Sequence, residues 1–372
     1  MADWSYLVAD LRSNVILDAL ELTGVKLTKR LSTADTFTAT LPEVTGLSPR
    51  GNPADLTTPA RLAYYALRDG SPFMGAVLWT SSYTSSSRSV SLGGAGWDSY
   101  FDHRYVLPLL PSSPTLDQIA ALQTTFGPTT DLNEVARQLV ALAQAHTGGN
   151  IGIQVDPANS GTARAMAYYG YSLTSVGDAL RELSGMPGGP DFRFDVSPVL
   201  DSHGRPVRVL VLGSPTIEQD GAPHVFEYPG NVLDYTWPRD GTRMTDRAFA
   251  TGEGSETGAV IAVAADSSKT ADGWVLLESQ QSYTTSPDLS AQAATDLHAG
   301  RGPVVLPTLT VRGDADPQLG TYAPGHTARV MITDDFWRRT IDTTMRIVQI
   351  DVDPSADVEA PVLTMAPVFD LT

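Results

Sequence analysis

The chain has 372 residues, 42% of them hydrophobic, and a formal net charge of −17 at neutral pH. This length exceeds what one hydrophobic core usually serves, so about two to four modules are expected. Such an excess of carboxylates argues against nucleic-acid binding, which needs clustered lysine and arginine. Because the chain has no cysteine, disulfides, thiolate nucleophiles and cysteine metal sites are excluded.

The N-terminus and the apolar runs indicate a soluble protein made in a cytoplasm. The sequence begins Met-Ala-Asp-Trp, without the basic region and apolar run of a secretory signal. The longest apolar runs, residues 207–212 and 259–265, are too short to span a bilayer. Stable membrane insertion is therefore not expected.

Residues 1–105 predict a compact β module. Residues 36–41 alternate hydroxyl and apolar side chains, as in a strand with one buried face. The turn residues at 69–72 separate two apolar segments and predict a hairpin. About six closely spaced strands favour a small barrel or sandwich. The predicted strands cover residues 6–11, 15–22, 36–41, 61–67, 73–80 and 88–92.

An aromatic and charged segment, residues 97–105, forms the exit from this module. Trp97, Tyr100, Phe101 and Tyr105 offer a platform on which a sugar ring could stack. Tyr100 and Phe101 are adjacent, however, and adjacent residues of a strand point to opposite faces. Packing in a core or an interface is therefore the preferred interpretation.

Residues 106–230 predict an α/β insert built on two capped amphipathic helices. Apolar residues recur three and four positions apart, which places them on one helical face. The two stripes are Leu132, Val135, Ala136, Leu139, Leu142 and Ala143, and Val176, Ala179, Leu180 and Leu183. The predicted helix signals are Asp131, Glu134 and Gly148 for the first helix, and Thr174 and Gly185 for the second. A weaker helix is predicted over residues 116–122, and the strand at 192–196 is the expected packing partner.

Residues 231–372 predict a second β module that contains one helix. The helix is expected to begin at Ser286-Pro287-Asp288 and to end at Gly300. The segment 251–258, rich in Gly, Ser, Thr and Glu, predicts a surface loop. After the strand at 192–196, further strands are predicted at 207–212 and 226–228, still within the insert, and at 232–237, 304–311, 328–333, 345–352 and 362–365 in the second β module. The fold class is therefore α+β, mainly β.

The sequence contains none of the catalytic motifs that were sought. Neither Gly-x-Ser-x-Gly nor His-Glu-x-x-His occurs, and the histidines at 103, 146, 203, 224, 298 and 326 are scattered. The glycines of residues 252–258 have the wrong spacing for a phosphate loop, and two carboxylates lie among them. Glycoside cleavage needs two carboxylates close together, but among 42 acidic residues some close pair is expected in any fold, so such a pair does not indicate an enzyme. We therefore assign no catalytic, cofactor-binding or metal-binding residue, and expect no enzyme.

Two acidic segments have alternating carboxylates that are able to hold a hard cation. Residues 351–359 read Asp-Val-Asp-Pro-Ser-Ala-Asp-Val-Glu, and residues 314–317 read Asp-Ala-Asp-Pro. The longer one lacks the loop glycine and the closing glutamate of a calcium loop at the right distance. An acidic turn is the preferred interpretation of both, and calcium near Asp351 is left open.

Three stretches together carry a family resemblance. One contains Arg-Asp-Gly, Phe-Met-Gly-Ala-Val and Gly-Gly-Ala-Gly-Trp-Asp; the next joins a helix to the strand Phe-Arg-Phe-Asp-Val; the last contains Pro-Gly-His and Met-Arg-Ile-Val-Gln-Ile. They lie at residues 68–77 and 93–104, at 172–183 with 192–196, and at 324–332 with 345–350. In this order the chain resembles the tail hub family of tailed phages. It resembles in particular the minor tail proteins of long-tailed actinobacterial phages and, more distantly, the baseplate hubs of contractile tails.

The resemblance implies a structural virion protein at the tail tip, acting as a homotrimer. Hubs of this family have two small β-barrels that alternate around a ring, with α/β parts beneath. The implied partners are tail tube and distal tail proteins, the tape measure protein, and receptor-binding or fibre proteins. DNA passes through the lumen without specific binding. Two alternatives stay open: a β-rich cell-wall glycan-active enzyme or glycan-binding module, and the hub of a contractile injection system.

Overall fold

The computed structural model describes residues 2–42, 52–111, 113–186, 188–252, 260–283 and 288–368. The chain forms two compact units. Unit 1 consists of Met1–Tyr235 and Leu309–Thr372, and unit 2 of Thr236–Thr308. Strands outnumber helices in the described residues, so the predicted α+β, mainly β class is confirmed. None of the described helices has the length and apolar character that a membrane crossing needs.

The predicted N-terminal strands are present, with one addition. Residues Thr23–Arg30 form a strand that the sequence did not predict, because its inward-facing row ends in a lysine, Lys29, rather than an apolar residue. The strands of this part are β1 Trp4–Asp10, β2 Ile16–Leu20, β3 Thr23–Arg30, β4 Thr36–Leu41, β5 Leu62–Arg68, β6 Ser71–Thr84 and β7 Ser89–Ala95.

The middle of unit 1 contains the predicted helices and several short strands that the sequence did not predict. The unpredicted strands, at 123–126, 153–155 and 166–169, have three or four residues each, too few to show a clear alternation. In order, the elements are α1 Asp98–Phe101, α2 Leu116–Ala120, β8 Gln123–Phe126, α3 Leu132–Ala145, β9 Ile153–Val155, β10 Met166–Tyr169, α4 Val176–Gly185, β11 Phe192–Ser197, β12 Val207–Leu212, β13 His224–Tyr228 and β14 Val232–Thr236.

The helix ends differ in detail from the prediction. Asp131 caps α3 by accepting the Asn133 N–H at 2.9 Å, as predicted, but Glu134 binds Arg137 instead of reaching back. The helix α3 ends at Ala145, three residues before the predicted stop at Gly148. Gly148 has a positive φ of 79°, but it lies in the turn that follows the helix. The N-cap of α4 is Ser175, not Thr174, because the Ser175 hydroxyl accepts the N–H three residues on.

Unit 2 is a three-stranded sheet with one main helix. The central strand pairs antiparallel with one neighbour and parallel with the other, and the helix packs on the sheet. Asp288 caps the helix by accepting the Ala291 N–H at 3.0 Å, as predicted. Residues 284–287 and 253–259, which include two predicted helix-start residues and most of the predicted loop, lie outside the described residues. The elements are β15 Arg247–Thr251, β16 Ile261–Ala265, α5 Ser268–Ala271, β17 Glu278–Ser282 and α6 Leu289–Ala299.

The C-terminal strands return to unit 1 and join the N-terminal strands in one sheet. They are β18 Thr308–Val311, β19 Thr327–Ile332, β20 Ile341–Val352 and β21 Val362–Pro367. Strand β20 pairs antiparallel with β3, with Gln349 opposite Arg30. The described strands follow the order β14-β18-β21-β20-β3-β4-β7-β6-β5-β1-β2, and β13 and β19 branch from β20. These described pairings contain no closed barrel.

One hydrophobic core serves both the N-terminal strands and the α/β segment of unit 1. The predicted stripe of α3 is buried except for the half-buried Leu142, and the stripe of α4 is buried throughout. The inward face of β11, with Phe192, Phe194 and Val196, packs in the same core. The expected pairing of helices and strand is therefore confirmed. The predicted borders at 105 and 230 stay a prediction.

Candidate functional site

The aromatic segment after β7 belongs to the core. Trp97 and Phe101 are fully buried, and Phe101 stacks on Phe194 with ring centroids 5.2 Å apart. Tyr105 is exposed on its own. The preferred interpretation of this segment as packing is correct for Trp97 and Phe101, and the four residues do not form one sugar platform.

The carboxylates of the acidic segment 351–359 face separate partners. Asp353 pairs with Lys26 at 2.9 Å, and Glu359 pairs with Arg68 at 2.6 Å. Across the described parts of the chain, no group of three or more His, Asp or Glu side chains could hold a metal ion. Asp353 and Glu359 thus each neutralise one cation, whereas Asp351 accepts hydrogen bonds from the neutral side chains of Thr28 and Gln349.

Charged side chains meet where three stretches of unit 1 come together; this region is called the charged junction. Lys29 of β3 binds Asp195 of β11 at 2.8 Å and the Phe73 carbonyl of β6 at 3.1 Å. Arg193 binds the second oxygen of Asp195 at 3.1 Å and the Pro324 carbonyl at 2.7 Å. Asp195 is thus shared by two cations from different strands.

A second ion pair extends the charged junction to the C-terminal strands. Arg68 at the end of β5 binds Glu359 through two nitrogens, at 2.9 and 2.6 Å, and also pairs with Asp69. The Trp4 indole N–H donates to the same glutamate at 3.3 Å. A bidentate arginine pair fixes direction as well as distance. It therefore ties the first strands of the chain to the segment before β21.

Two histidines lie together beside this network, and sequence reasoning missed them. The rings of His224 and His326 stack with centroids 5.6 Å apart, and His224 Nε2 lies 3.3 Å from His326 Nδ1. Tyr322 meets His224 edge-on. The pair forms because β13 and β19 run parallel, with His224 opposite Ala328. Nothing in the local sequence indicates that strands so far apart along the chain pair in this way.

A cavity of about 440 Å³ opens at the charged junction. Its lining comes from all three stretches and includes Lys29, Arg68, Phe73, Arg193, Tyr322 and His326. No serine, threonine or cysteine in the lining bonds to a histidine base in the way that nucleophilic catalysis requires. The described cations of the lining are all held by carboxylates. These ion pairs and hydrogen bonds join β3, β5 and β11 to each other and to the segments before β19 and β21.

The local electrostatics agree with a neutralised junction. Burial alone would raise the pKa of Asp195, but Lys29 and Arg193 lower it below its usual value. Burial, together with the nearby Arg193 and His224, lowers the pKa of His326 to about 4. At neutral pH the carboxylate is therefore charged and His326 is neutral, so no unpaired charge is buried there.

Two further buried carboxyls lie near the same strands. Burial raises the pKa of Asp98 to about 7, and the neighbouring Asp102 adds to this shift. Burial also raises the pKa of Asp35 well above its usual value, against the opposing effect of Lys29. One oxygen of Asp98 has no hydrogen-bond partner in the structure. These groups make stability depend on pH.

One local pattern in the sequence indicates the charged junction. Along β11 the apolar residues Phe192, Phe194 and Val196 alternate with Arg193, Asp195 and Ser197. Opposite charges two residues apart share one face of a strand. The groups that bind this charged face of β11, Lys29 on β3 and the Pro324 carbonyl before β19, could not be predicted from the local pattern.

Comparison with known proteins shows which solved structures have a similar fold. No protein-family model matches the sequence, and no curated protein matches it. Among solved structures, the chain is similar to the 43 kDa tail protein of prophage MuSo2 from Shewanella oneidensis. The TM-score is 0.62 at 12% identity, and the match covers 98% of both chains. A tail protein from Neisseria meningitidis MC58 gives a TM-score of 0.59 at 15% identity, covering 97% of this chain and 96% of that one.

The chain therefore has the fold of phage tail proteins, and the resemblance seen in the sequence is confirmed at the level of the fold. A chain of the Francisella PdpA-VgrG complex is also similar, with a TM-score of 0.55 at 8% identity. That match covers 100% of this chain and 54% of the other, so this chain spans about half of its length. The link to actinobacterial phages stays a prediction.

Proposed function

We propose that this protein is a structural component of a phage tail, the hub that closes the tail tube and links it to host-recognition components. The main support is the fold similarity to the Shewanella prophage tail protein, which covers 98% of both chains. The hub lies at the tip of the virion tail, is made in the host cytoplasm and has no catalytic task.

The proposal includes the finer architecture that the resemblance implies. Residues 1–105 and 231–372 supply one small β-barrel each, and residues 106–230 supply the α/β insert. Three copies form a ring in which six barrels alternate, matching a hexameric tube. The pairing of β3 with β20 supports this arrangement, because it holds the first and last β segments side by side. The acidic chain keeps DNA moving through the lumen, since phosphates are not held.

The implied partners are the tail tube and distal tail proteins, the tape measure protein, and receptor-binding or fibre proteins. A contractile injection system would use a hub of the same fold. This alternative is kept because the similarity extends to the Francisella PdpA-VgrG complex.

Light scattering during size-exclusion chromatography, followed by negative-stain microscopy, tests the assembly. We expect a particle of three chains with a central opening, either alone or after addition of tube and distal tail proteins. A strict monomer under both conditions would contradict the hub. A parallel screen on peptidoglycan and cell-wall polysaccharides should show no turnover; turnover would favour the glycan-active enzyme instead.

A further inference from the structure

The lining of the cavity at the charged junction includes a buried donor without a partner. Tyr322 lines the cavity and is 2% exposed, and its hydroxyl has no hydrogen-bond partner among the residues that the structure describes. Burial and the nearby Glu359 raise the pKa of this hydroxyl and Arg68 lowers it, so the hydroxyl lies beside that ion pair. Buried polar groups in folded proteins nearly always have a partner, from the protein, from water or from a ligand. The cavity is the place where such a partner can lie.

Another part of the lining carries an excess of positive charge. Lys29 and Arg193 share the one carboxylate of Asp195, at 2.8 and 3.1 Å, which leaves one positive charge in excess. Asp35 lies near Lys29, but burial raises the pKa of this carboxyl well above its usual value and so disfavours its charge. Burial, and then the nearby Arg193, lower the pKa of His326, in agreement with positive surroundings.

Both of these cations keep donors that the protein does not use. A lysine ammonium has three N–H donors and an arginine guanidinium has five. Lys29 donates to Asp195 and to the Phe73 carbonyl. Arg193 donates through Nε to the other oxygen of Asp195 and through one terminal nitrogen to the Pro324 carbonyl. Within the described ranges, the third donor of Lys29 and the second terminal nitrogen of Arg193 have no acceptor, so a ligand can supply one.

The size and the walls of the cavity suit a small organic molecule. Its volume of about 440 Å³ lies in the range of known ligand sites, and Phe73 and Leu319 add apolar surface to the lining. We propose that this cavity binds a small organic acid, whose carboxylate accepts hydrogen bonds from Lys29 and Arg193 and whose second acceptor binds the Tyr322 hydroxyl. The three donors come from separate stretches of the chain, so the bound acid ties these stretches together.

The acidic groups near the cavity do not reverse this preference for an anion. Asp69 lines the cavity, but its side chain is 55% exposed and water screens its charge. Glu359 is not part of the lining, and Arg68 neutralises it through two hydrogen bonds. The buried part of the lining therefore favours an anion over a cation of the same shape.

Isothermal titration calorimetry of the full chain with 4-hydroxybenzoate tests the site. This probe combines a carboxylate, an apolar ring and a hydroxyl group that can accept a hydrogen bond. We expect saturable binding and a higher thermal midpoint, because a ligand that binds only the folded state stabilises it. Inorganic phosphate should bind at least about tenfold more weakly, since it has no apolar part. The cation 4-hydroxybenzylamine, which has nearly the same shape, should not bind.

Three variants test the assigned donors and charges. Tyr322→Phe removes only the hydroxyl group, and should weaken binding about three- to tenfold, as expected for one hydrogen bond. Arg193→Gln should weaken it at least about tenfold, because hydrogen bonds from a charged group are stronger. Asp69→Asn should strengthen it, because a negative charge at the cavity is removed.

Tyr168→Phe is the matched control. Tyr168 is also buried, 4% exposed, and its hydroxyl also has no partner among the described residues, but it does not line this cavity. The Tyr168→Phe protein should bind 4-hydroxybenzoate like the unchanged chain. Circular dichroism gives the thermal midpoint of every variant, and each titration is made well below that temperature, where the variant is folded.

Four results would overturn the proposal. If the unchanged chain binds no 4-hydroxybenzoate at concentrations up to about 10 mM, the cavity holds only water. Binding that is equally strong in Tyr322→Phe and Arg193→Gln would lie elsewhere on the molecule. Equal binding of 4-hydroxybenzylamine would mean that the cavity selects apolar surface and not charge. Equal binding of phosphate would exclude an organic ligand. None of these results affects the proposed hub function, which rests on the similarity of the fold.

Discussion

A buried arginine joins the α/β segment of unit 1 to its first strands, and its replacement gives the sharpest test of the fold. Arg208 of β12 is 1% exposed. Its guanidinium donates four hydrogen bonds to neutral oxygens: the carbonyls of Leu11 at 2.6 Å and Ile151 at 2.5 Å, the Tyr65 hydroxyl at 2.7 Å and the Asn14 side chain at 2.9 Å.

Arg208→Met keeps an apolar stem but removes every one of these donors. The two carbonyls then lie buried without their partner, and each such group costs about 1–3 kcal/mol. Part of this loss is offset, because the four hydrogen bonds of the Arg208 cation go to neutral oxygens and a buried cation without a carboxylate partner is costly. We expect the free energy of unfolding to fall by about 3 kcal/mol. Arg208→Lys should lower the free energy of unfolding by a smaller amount. It should still lower it, because the planar guanidinium that lies 4.5 Å from the centroid of the Trp97 ring is lost.

Urea unfolding followed by tryptophan fluorescence measures this change, because Trp97 lies in the affected core. The midpoint should move while the slope stays constant, as expected when only stability changes. Arg12→Met is the control: Arg12 is exposed in the neighbouring turn and should shift stability by less than about 0.5 kcal/mol. An Arg208→Met protein as stable as the unchanged chain would refute the assignment of Arg208 as a central tie.

Three other changes have defined outcomes. The pKa of Asp98 is raised from 3.8 to about 7, so its contribution to the free energy of unfolding is full below about pH 4 and is lost as the pH rises to about 7. Asp98→Asn should remove this loss and therefore raise the thermal midpoint at pH 8. The pKa of His326 is lowered from 6.5 to about 4, so its contribution to the free energy of unfolding is lost as the pH falls through that range. His326→Gln should reduce the drop in thermal midpoint between pH 7 and about pH 4. An unchanged drop would contradict the burial argument. A Cβ at Gly75 would lie 2.1 Å from the Trp97 ring, so Gly75→Ala should cost about 1–3 kcal/mol in urea unfolding. Gly185→Ala, which meets no atom within 4 Å, should be near neutral, and equal effects at the two glycines would refute the packing argument.

The sequence shows best what is decided within a few residues. The apolar stripes of α3 and α4 and the alternation of β4 and β11 follow from side-chain spacing alone. Errors appear where one local signal competes with another. Thr174 and Ser175 are both good caps, and the backbone turn selects the second. Strand β3 was missed because its Lys29 breaks the apolar pattern. A buried lysine is tolerable there because the distant Asp195 and the Phe73 carbonyl accept its hydrogen bonds.

The site depends on contacts that no local pattern contains. Lys29 and Asp195 of the charged junction lie 166 residues apart along the chain, and Arg68 and Glu359 lie 291 residues apart. The histidine pair exists only because β13 and β19 run side by side. By itself, the sequence determined the helices α3, α4 and α6, most of the longer strands, the apolar faces of these elements, and that the chain is acidic and free of cysteine. Only the tertiary structure decided which strands pair, which charges neutralise each other and which aromatic rings stay in water. Backbone hydrogen bonding between strands accepts almost any side chain, so the choice of partner depends on packing across the whole unit.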